Sequence, residues 1–290
     1  MRTYLDCFPC FVRQALAASR LVTSDAEVHE RVLRRVLAVM GRMEMGQSPP
    51  AMAEQVHRVI SETVGDEDPY REMKRKFTEL ALRLLPRLRE QVGRASDPFA
   101  LAVRLVIAGN IIDAGVHPEV GPEHVRQAIE WALDAPYDRD VLEQLRVAVD
   151  KASSILYLAD NAGEIVIDRL LLERIPADKI ILVVRGGPVL NDATPADAAA
   201  AGLTNRLQVM DNGSSAPGTI VEDCSDSFRR RFAEADLVIA KGQGNYESLN
   251  EAKREVFFLF KAKCEVVARD LGCEVGQMVV ARTSGSSDDA

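Results

Sequence analysis

The chain has 290 residues, 47% of them hydrophobic and 28% charged, with a formal net charge of −8. That length suits one large domain or two smaller ones, and the balance is that of a soluble globular protein. No cationic surplus exists to neutralise a phosphate backbone, which argues against nucleic acid as the main partner. A small anionic substrate, which needs only a local positive pocket, remains open. Aromatic residues make up 5%, so the core must be built mostly from Leu, Val, Ile and Ala. No apolar run approaches the roughly 20 residues of a membrane span, and the N-terminal MRTYLDCFPCFVRQ lacks the continuous apolar segment of a signal peptide. Five cysteines, an odd number, do not suggest a disulfide framework. The expectation is a cytoplasmic protein without membrane association.

The first half reads as helical. Residues Ala26–Met45 carry Val28, Val32, Val36, Leu37 and Met40 at helical spacing between Arg and Glu. Met52–Val64 and Tyr70–Val92 continue this pattern, with Ser48-Pro49-Pro50 and Gly65-Asp66-Glu67-Asp68-Pro69 as breaks. Pro98–Ala114 is apolar on all sides and reads as a buried helix. Asp97-Pro98 suits its start, the acid as cap and the proline at the first helical position. Val125–Leu133 and Leu142–Lys151 read as two more helices.

Near residue 153 the pattern changes. Short Val- and Ile-rich runs alternate with helical segments: Ser154–Ala159, Lys179–Val184, Arg206–Met210, Leu237–Ala240, Val256–Phe260 and Met278–Ala281. Such alternation predicts an α/β fold, a parallel sheet with crossover helices. The expected division is an all-helical domain over 1–152, an α/β domain over 153–283, and a disordered polar tail over 284–290.

In open α/β sheets ligands bind beyond the carboxyl ends of the strands, near a switch in strand order. The first run ends in Asp160-Asn161, the second in Arg185-Gly186-Gly187-Pro188 and then Asn191-Asp192-Ala193-Thr194. The third ends in Asp211-Asn212-Gly213-Ser214-Ser215, the fourth in Lys241-Gly242-Gln243-Gly244-Asn245-Tyr246-Glu247. Asp160, Asn161 and Asp192 offer hard oxygen ligands suited to Mg²⁺ or Mn²⁺. Arg185 and Lys241 offer positive charge for phosphate, and the backbone N–H groups of Gly186-Gly187 and Gly213 could add anion contacts. Each residue also has a plainer reading. Asp160 or Asn161 would serve as a helix N-cap, Asp192 as a turn acid, Lys241 as a solvated loop lysine. Convergence of several loops favours a shared site for phosphoryl chemistry.

The motifs DNAGE (160–164), RGGPVLNDAT (185–194) and KGQGNYESL (241–249) together resemble the DUF89 family of metal-dependent damage-control phosphatases. DCFPCFVRQAL (6–16) and AGNIIDAG (108–115) resemble its prokaryotic, cysteine-motif subfamily. The resemblance covers nearly the whole chain. It implies a helical domain packed on a Rossmann-like one, a divalent ion (Mn, Co, Ni or Mg) at the carboxyl edge of the sheet, and hydrolysis of phosphate esters of small metabolites. Carried over by motif, Asp160, Asn161 and Asp192 would be the metal ligands, and Lys241 would contact the substrate phosphate. Asn245 would line the pocket, with Arg185, Asn191 and Glu164 nearby. Asp160 or Asp192 is also open as a direct nucleophile, against attack by water.

Asn110 and Asp113, three apart in the apolar helix, share one face. They suit either an interhelical hydrogen bond or, as the resemblance suggests, a place facing the cleft. Cys7-Phe8-Pro9-Cys10 is a lone CxxC that precedes a helix without a βαβ setting, and no second CxxC completes a zinc site. Packing, redox lability and a ligand pair all stay open for it. Cys224, Cys264 and Cys273 are expected as buried thiols. None of His29, His57, His117 and His124 is assigned to metal. Gly242-Gln243-Gly244 lacks the third glycine of a dinucleotide loop, Glu247 standing in its place. Two other functions compete: a nucleotide- or S-adenosylmethionine-using enzyme, and a non-catalytic binding module.

Overall fold

The computed structural model describes residues 1–109, 127 and 130–283. Three helices open the chain: α1 (Cys7–Val22), α2 (Ala26–Met40) and α3 (Pro49–Val64). They close on a core of Phe11, Val32, Val36, Met52, Val56 and Ile60. The chain expected to precede a helix at the CxxC is already helical there, so Cys7 and Cys10 lie in the first turn of α1. Helix α2 stops at Met40 rather than Met45, with Gly41 following. Helix α3 starts three residues before Met52, because Pro49 and Pro50 occupy first-turn positions where no backbone N–H is needed. The two prolines begin this helix instead of interrupting it.

Helix α4 (Arg71–Arg94) is followed by α5 (Pro98–Gly109), and Asp97 accepts from the Ala100 N–H at 3.0 Å, the expected acid cap. Of the expected helix Val125–Leu133, residue 127 and residues 130–133 are described and helical. Asn110, Asp113, His117, His124 and the tail 284–290 lie outside the described residues. Helix α6 (Arg139–Lys151) then leads into the sheet, its start capped by Asp138.

The strands are β1 (Ile155–Leu158), β2 (Ile180–Val184), β3 (Gln208–Asp211), β4 (Leu237–Lys241), β5 (Phe257–Lys261) and β6 (Met278–Arg282). They form one sheet in the order β3-β2-β1-β4-β5-β6. All neighbours are parallel except β5 and β6, which run antiparallel. Between them lie α7 (Glu164–Leu172), α8 (Pro195–Ala200), α9 (Asp226–Glu234), α10 (Gln243–Leu249) and α11 (Glu265–Leu271). Successive strand residues alternate between two cores. Ile155, Tyr157, Leu182, Ile239 and Leu259 pack with α4 to α8. Leu156, Leu158, Val238, Phe258 and Phe260 pack with Phe228, Phe232, Tyr246 and Val267 of α9, α10 and α11. Burial on both faces explains why the strands read as unbroken apolar runs. The first of these cores runs continuously from Ala81 across residue 152 into the sheet. Among the described residues no helix is long and apolar enough to cross a membrane.

Strand order reverses at β1. The chain leaves β1 for β2 and β3 on one side, then returns to β4 on the other. The crevice between the carboxyl ends of β1 and β4 is therefore the switch point. A buried clamp holds the α4 side to it. Lys74 pairs with Asp68 at 2.9 Å and with Asp197 at 3.1 Å. The same Asp197 oxygen accepts from the Thr194 backbone and hydroxyl, fixing the start of α8.

Beside this clamp, buried His57 stacks on Tyr70, and its Nε2 has no hydrogen-bond partner among the described residues. Burial pushes its pKa down to about 4, Asp68 opposing and Lys74 reinforcing. The unfolded chain takes up this proton near pH 6.5 and the native ring does not. The stability that neutral His57 retains above that pH is thus lost as pH falls towards 4, on the order of 3 kcal/mol in all. In His57→Phe, denaturant unfolding at pH 7 and pH 4.5 should differ by clearly less than in the wild type. Equal differences would refute the assignment.

Candidate active site

The loop after β2 folds back against the loop after β1. Ala193 N donates to Asp160 O at 2.7 Å, Ala162 N donates to Asn191 O at 2.9 Å, and Asn161 and Asp192 form an antiparallel bridge. This short ladder carries Asp192 to the Asp160-Asn161 pair across about thirty residues of chain. The turn that allows it includes Leu190 at φ 46°, the only left-handed non-glycine among the described residues. A leucine there is strained, and it is held because its side chain packs against the core of α1, α2 and α3.

Neither Asp160 nor Asn161 caps α7; the N-cap is Gly163, with no side-chain capping bond. Instead the Asn161 amide donates to Asp160 at 3.1 Å and to Glu164 at 3.2 Å. Arg185 Nε donates to Asp192 at 2.7 Å. Its Nη1 reaches Thr219 and Asn245, each at 3.2 Å. Its Nη2 lies 4.0 Å from Asp160 Oδ1 and, among the described residues, has no hydrogen-bond partner. Burial raises Asp160 well above the usual carboxylate range, and the charges of Asp192 and Glu164 add to it, with Lys263 and Arg185 acting against. A small cleft beside this group is lined by Lys74, Phe77, Gly109, Asn161, Glu164 and Asn191, with Ala162 and Gly163.

The sequence matches the family described as damage-control phosphatase ARMT1-like domain over residues 3–279. The chain belongs to this family. Among relatives, a damage-control phosphatase of Archaeoglobus fulgidus is 35% identical over 94% of this chain and 96% of its own length. A damage-control phosphatase of Pyrococcus horikoshii is 31% identical over 97% of this chain and 98% of its own. An uncharacterised protein of Methanocaldococcus jannaschii is 36% identical over 95% and 93%. A crystal structure of a DUF89 family protein from Pyrococcus horikoshii superposes with a TM-score of 0.88 at 30% identity, covering 98% of this chain and all of that one.

Within this ARMT1-like fold the motif residues gather, but not all in the expected way. Lys241 is fully buried and is not the solvated loop lysine of the plainer reading. Its Nζ donates to Val106 O at 3.0 Å, to Asp168 at 2.6 Å and to Glu164. An ammonium has three N–H groups, so this arrangement presents none to a substrate phosphate. Asn245, also fully buried, donates to Ala159 O and Lys241 O and accepts from Thr219 and Arg185. It joins β1, β4 and Arg185 from behind the pocket. The Gly186 N–H goes to Ser214 O and Asn212 Oδ1, and the Gly213 N–H goes to Asp211. Those two backbone donors, expected as anion contacts, serve loop closure.

Three contributors escaped sequence reasoning. Asp168 stands one turn beyond Glu164, and the signal was available: two acids four apart in the otherwise apolar EIVIDRLLL. Thr219, hydrogen-bonded to Asn245 at 2.8 Å, and Lys74 carry no comparable pattern. All five cysteines are free. Cys224 is buried, which pushes its thiol up to about 12, while Cys264 and Cys273, expected buried, are half-exposed beside helix ends.

The donor set fits a hard cation. Among the described residues no three His, Cys, Asp or Glu side chains are arranged to hold an ion; Asp160, Asp192 and the Asn161 amide are the oxygen donors gathered here. With the amide nitrogen committed to Asp160 and Glu164, its oxygen is the group an ion would meet. Burial first, and then the charges of Asp192 and Glu164, hold Asp160 well above the usual carboxylate range, a penalty a bound cation would offset.

Gly242, at φ 81°, lets the chain turn from β4 into α10 directly against this carboxylate; a Cβ there would sit 2.1 Å from Asp160 Oδ2. Gly242→Ala should therefore lower the unfolding free energy by about 1–3 kcal/mol, read from denaturant midpoints. An unshifted midpoint would contradict the close approach.

Proposed function

We propose that this protein is a metal-dependent phosphatase that hydrolyses phosphate monoesters of small metabolites, such as sugar phosphates or damaged phosphometabolites. One observation carries the reading. At the switch point, buried Asp160, Asn161 and Asp192 stand together beside a buried guanidinium whose Nη2, among the described residues, makes no hydrogen bond and lies 4.0 Å from Asp160 Oδ1. The relatives named damage-control phosphatases support the reaction class.

Asp160, Asn161 and Asp192 would hold a divalent ion: Mn, Co, Ni or Mg. Such an ion supplies Lewis acidity, polarising a phosphoryl oxygen and lowering the pKa of a bound water. Arg185 binds a second phosphoryl oxygen through Nη2. Its Nε is locked on Asp192 and its Nη1 on Thr219 and Asn245, so the guanidinium plane is fixed before substrate arrives. A preorganised cation of this kind stabilises charge developing on the phosphoryl group without reorganising. Lys74, Phe77 and Gly109 bring the helices of the first half to the cleft. In this reading residues 1–152 shape the substrate side and residues 153–283 carry the ion.

The test is a panel of phosphate esters crossed with a panel of metal ions. Turnover should require an added divalent ion, and Asp160→Ala should lower kcat/KM by about a thousand-fold or more. Arg185→Gln should lower it by about a hundred-fold, with weaker inhibition by inorganic phosphate. Wild-type rates from Asp160→Ala, or metal-independent turnover, would overturn the reading. Saturable binding of a nucleotide without metal would favour the cofactor-using alternative.

A further inference from the structure

The three-way pairing of Lys241 needs a reason that a phosphate contact does not supply. Its side chain is fully buried at the end of β4, and Glu164 and Asp168 meet it from the inner side of α7. Two buried acids on one helix are costly unless paired. Here they face one cation, and burial still pushes Asp168 up to about 7 against the opposing charge of Lys241.

Glu164 links this cluster to the pocket. One of its oxygens accepts from Lys241 and the other accepts from the Asn161 amide at 3.2 Å. The second N–H of that amide goes to Asp160 at 3.1 Å. The two ends of a carboxamide point in opposite senses. Fixing the nitrogen between Glu164 and Asp160 thus fixes where the oxygen points. Without Lys241, Glu164 would be a buried acid beside a second one. Unanchored on its far side, it would turn away and release the amide.

We propose that Lys241 is a positioning residue. Held by Asp168, it keeps the Glu164 side chain in place, and through Glu164 it orients the Asn161 amide towards the divalent ion that site would hold. Arg185 is then the cation that meets the substrate phosphate. The proposal rests on the metal-dependent reading above and replaces the expected role of Lys241 within it.

Mn²⁺ binding, followed by electron paramagnetic resonance of the free ion, separates the two roles without any turnover. Inhibition by inorganic phosphate at saturating Mn²⁺ gives the second readout. Lys241→Met, close in volume, should weaken Mn²⁺ binding by about 10–100-fold and leave the phosphate inhibition constant within about twofold of wild type. Arg185→Gln should weaken phosphate inhibition in the same assay. Lys241→Met with wild-type Mn²⁺ affinity and weakened phosphate inhibition would overturn the proposal in favour of a direct phosphate contact. Should Lys241→Met fail to fold, Glu164→Gln decides. Its amide cannot hold Lys241 as an ion pair, so it should weaken Mn²⁺ binding with phosphate inhibition retained, and unchanged Mn²⁺ affinity would overturn the proposal. A wild-type protein that binds no Mn²⁺ removes the metal reading itself, a result distinct from either outcome in the variants.

Discussion

Four carboxylates and two cations are buried at the carboxyl ends of β1, β2 and β4, and the surrounding structure answers to the need to pair them. In a low-dielectric interior an uncompensated charge costs far more than a surface ion pair gains. Arg185 therefore closes on Asp192, and Lys241 closes on Glu164 and Asp168. Asp160 lies 4.0 Å from Arg185 and accepts from the Asn161 amide, and burial with its acidic neighbours raises its pKa. The short Asn161–Asp192 bridge, the Asn245 cross-link and the left-handed turn at Gly242 all hold these groups together. Pairing fixes the geometry of the group.

The first-half helices are part of this arrangement. Val106 of α5 offers a carbonyl to Lys241, and Lys74 of α4 anchors Asp197 at the start of α8, immediately after the Asp192 loop. The Leu190 side chain, wedged against the core of α1 to α3, stabilises an otherwise unfavourable turn in that same loop. Packing energy from distant helices thus maintains backbone strain two residues from a proposed metal ligand. A division of labour follows in which the sheet edge carries charge and the helices fix its loops.

Phosphoryl transfer asks a protein chiefly for positioning and for charge placed before the reaction. This pocket meets both requirements with few residues, because Arg185 is restrained at two of its nitrogens and the Asn161 amide at both of its N–H groups. The agreement in fold with a DUF89 protein at 30% identity, over the full length of both chains, is consistent with an architecture maintained by such pairing.

The sequence by itself determined the class of fold. Apolar runs of strand length separated by helices required a sheet covered on both faces, and periodic Val and Leu placed most helices of the first half. Their ends were less legible where prolines start a helix, as at Pro49-Pro50, since a proline stops one helix and begins another with equal ease. The sequence also singled out the loops whose polar groups meet in the fold, because acids, amides and glycines accumulate after β1, β2, β3 and β4. Only the tertiary structure decided what each polar group does. Strand order brought β4 beside β1, and with it Lys241 to α7 instead of the cleft; Asp168, whose spacing from Glu164 names no partner, became its counter-ion. A side chain's type states what it can bond to, while the partner it finds depends on contacts between residues 73, 77 and 135 positions apart, which no local pattern records.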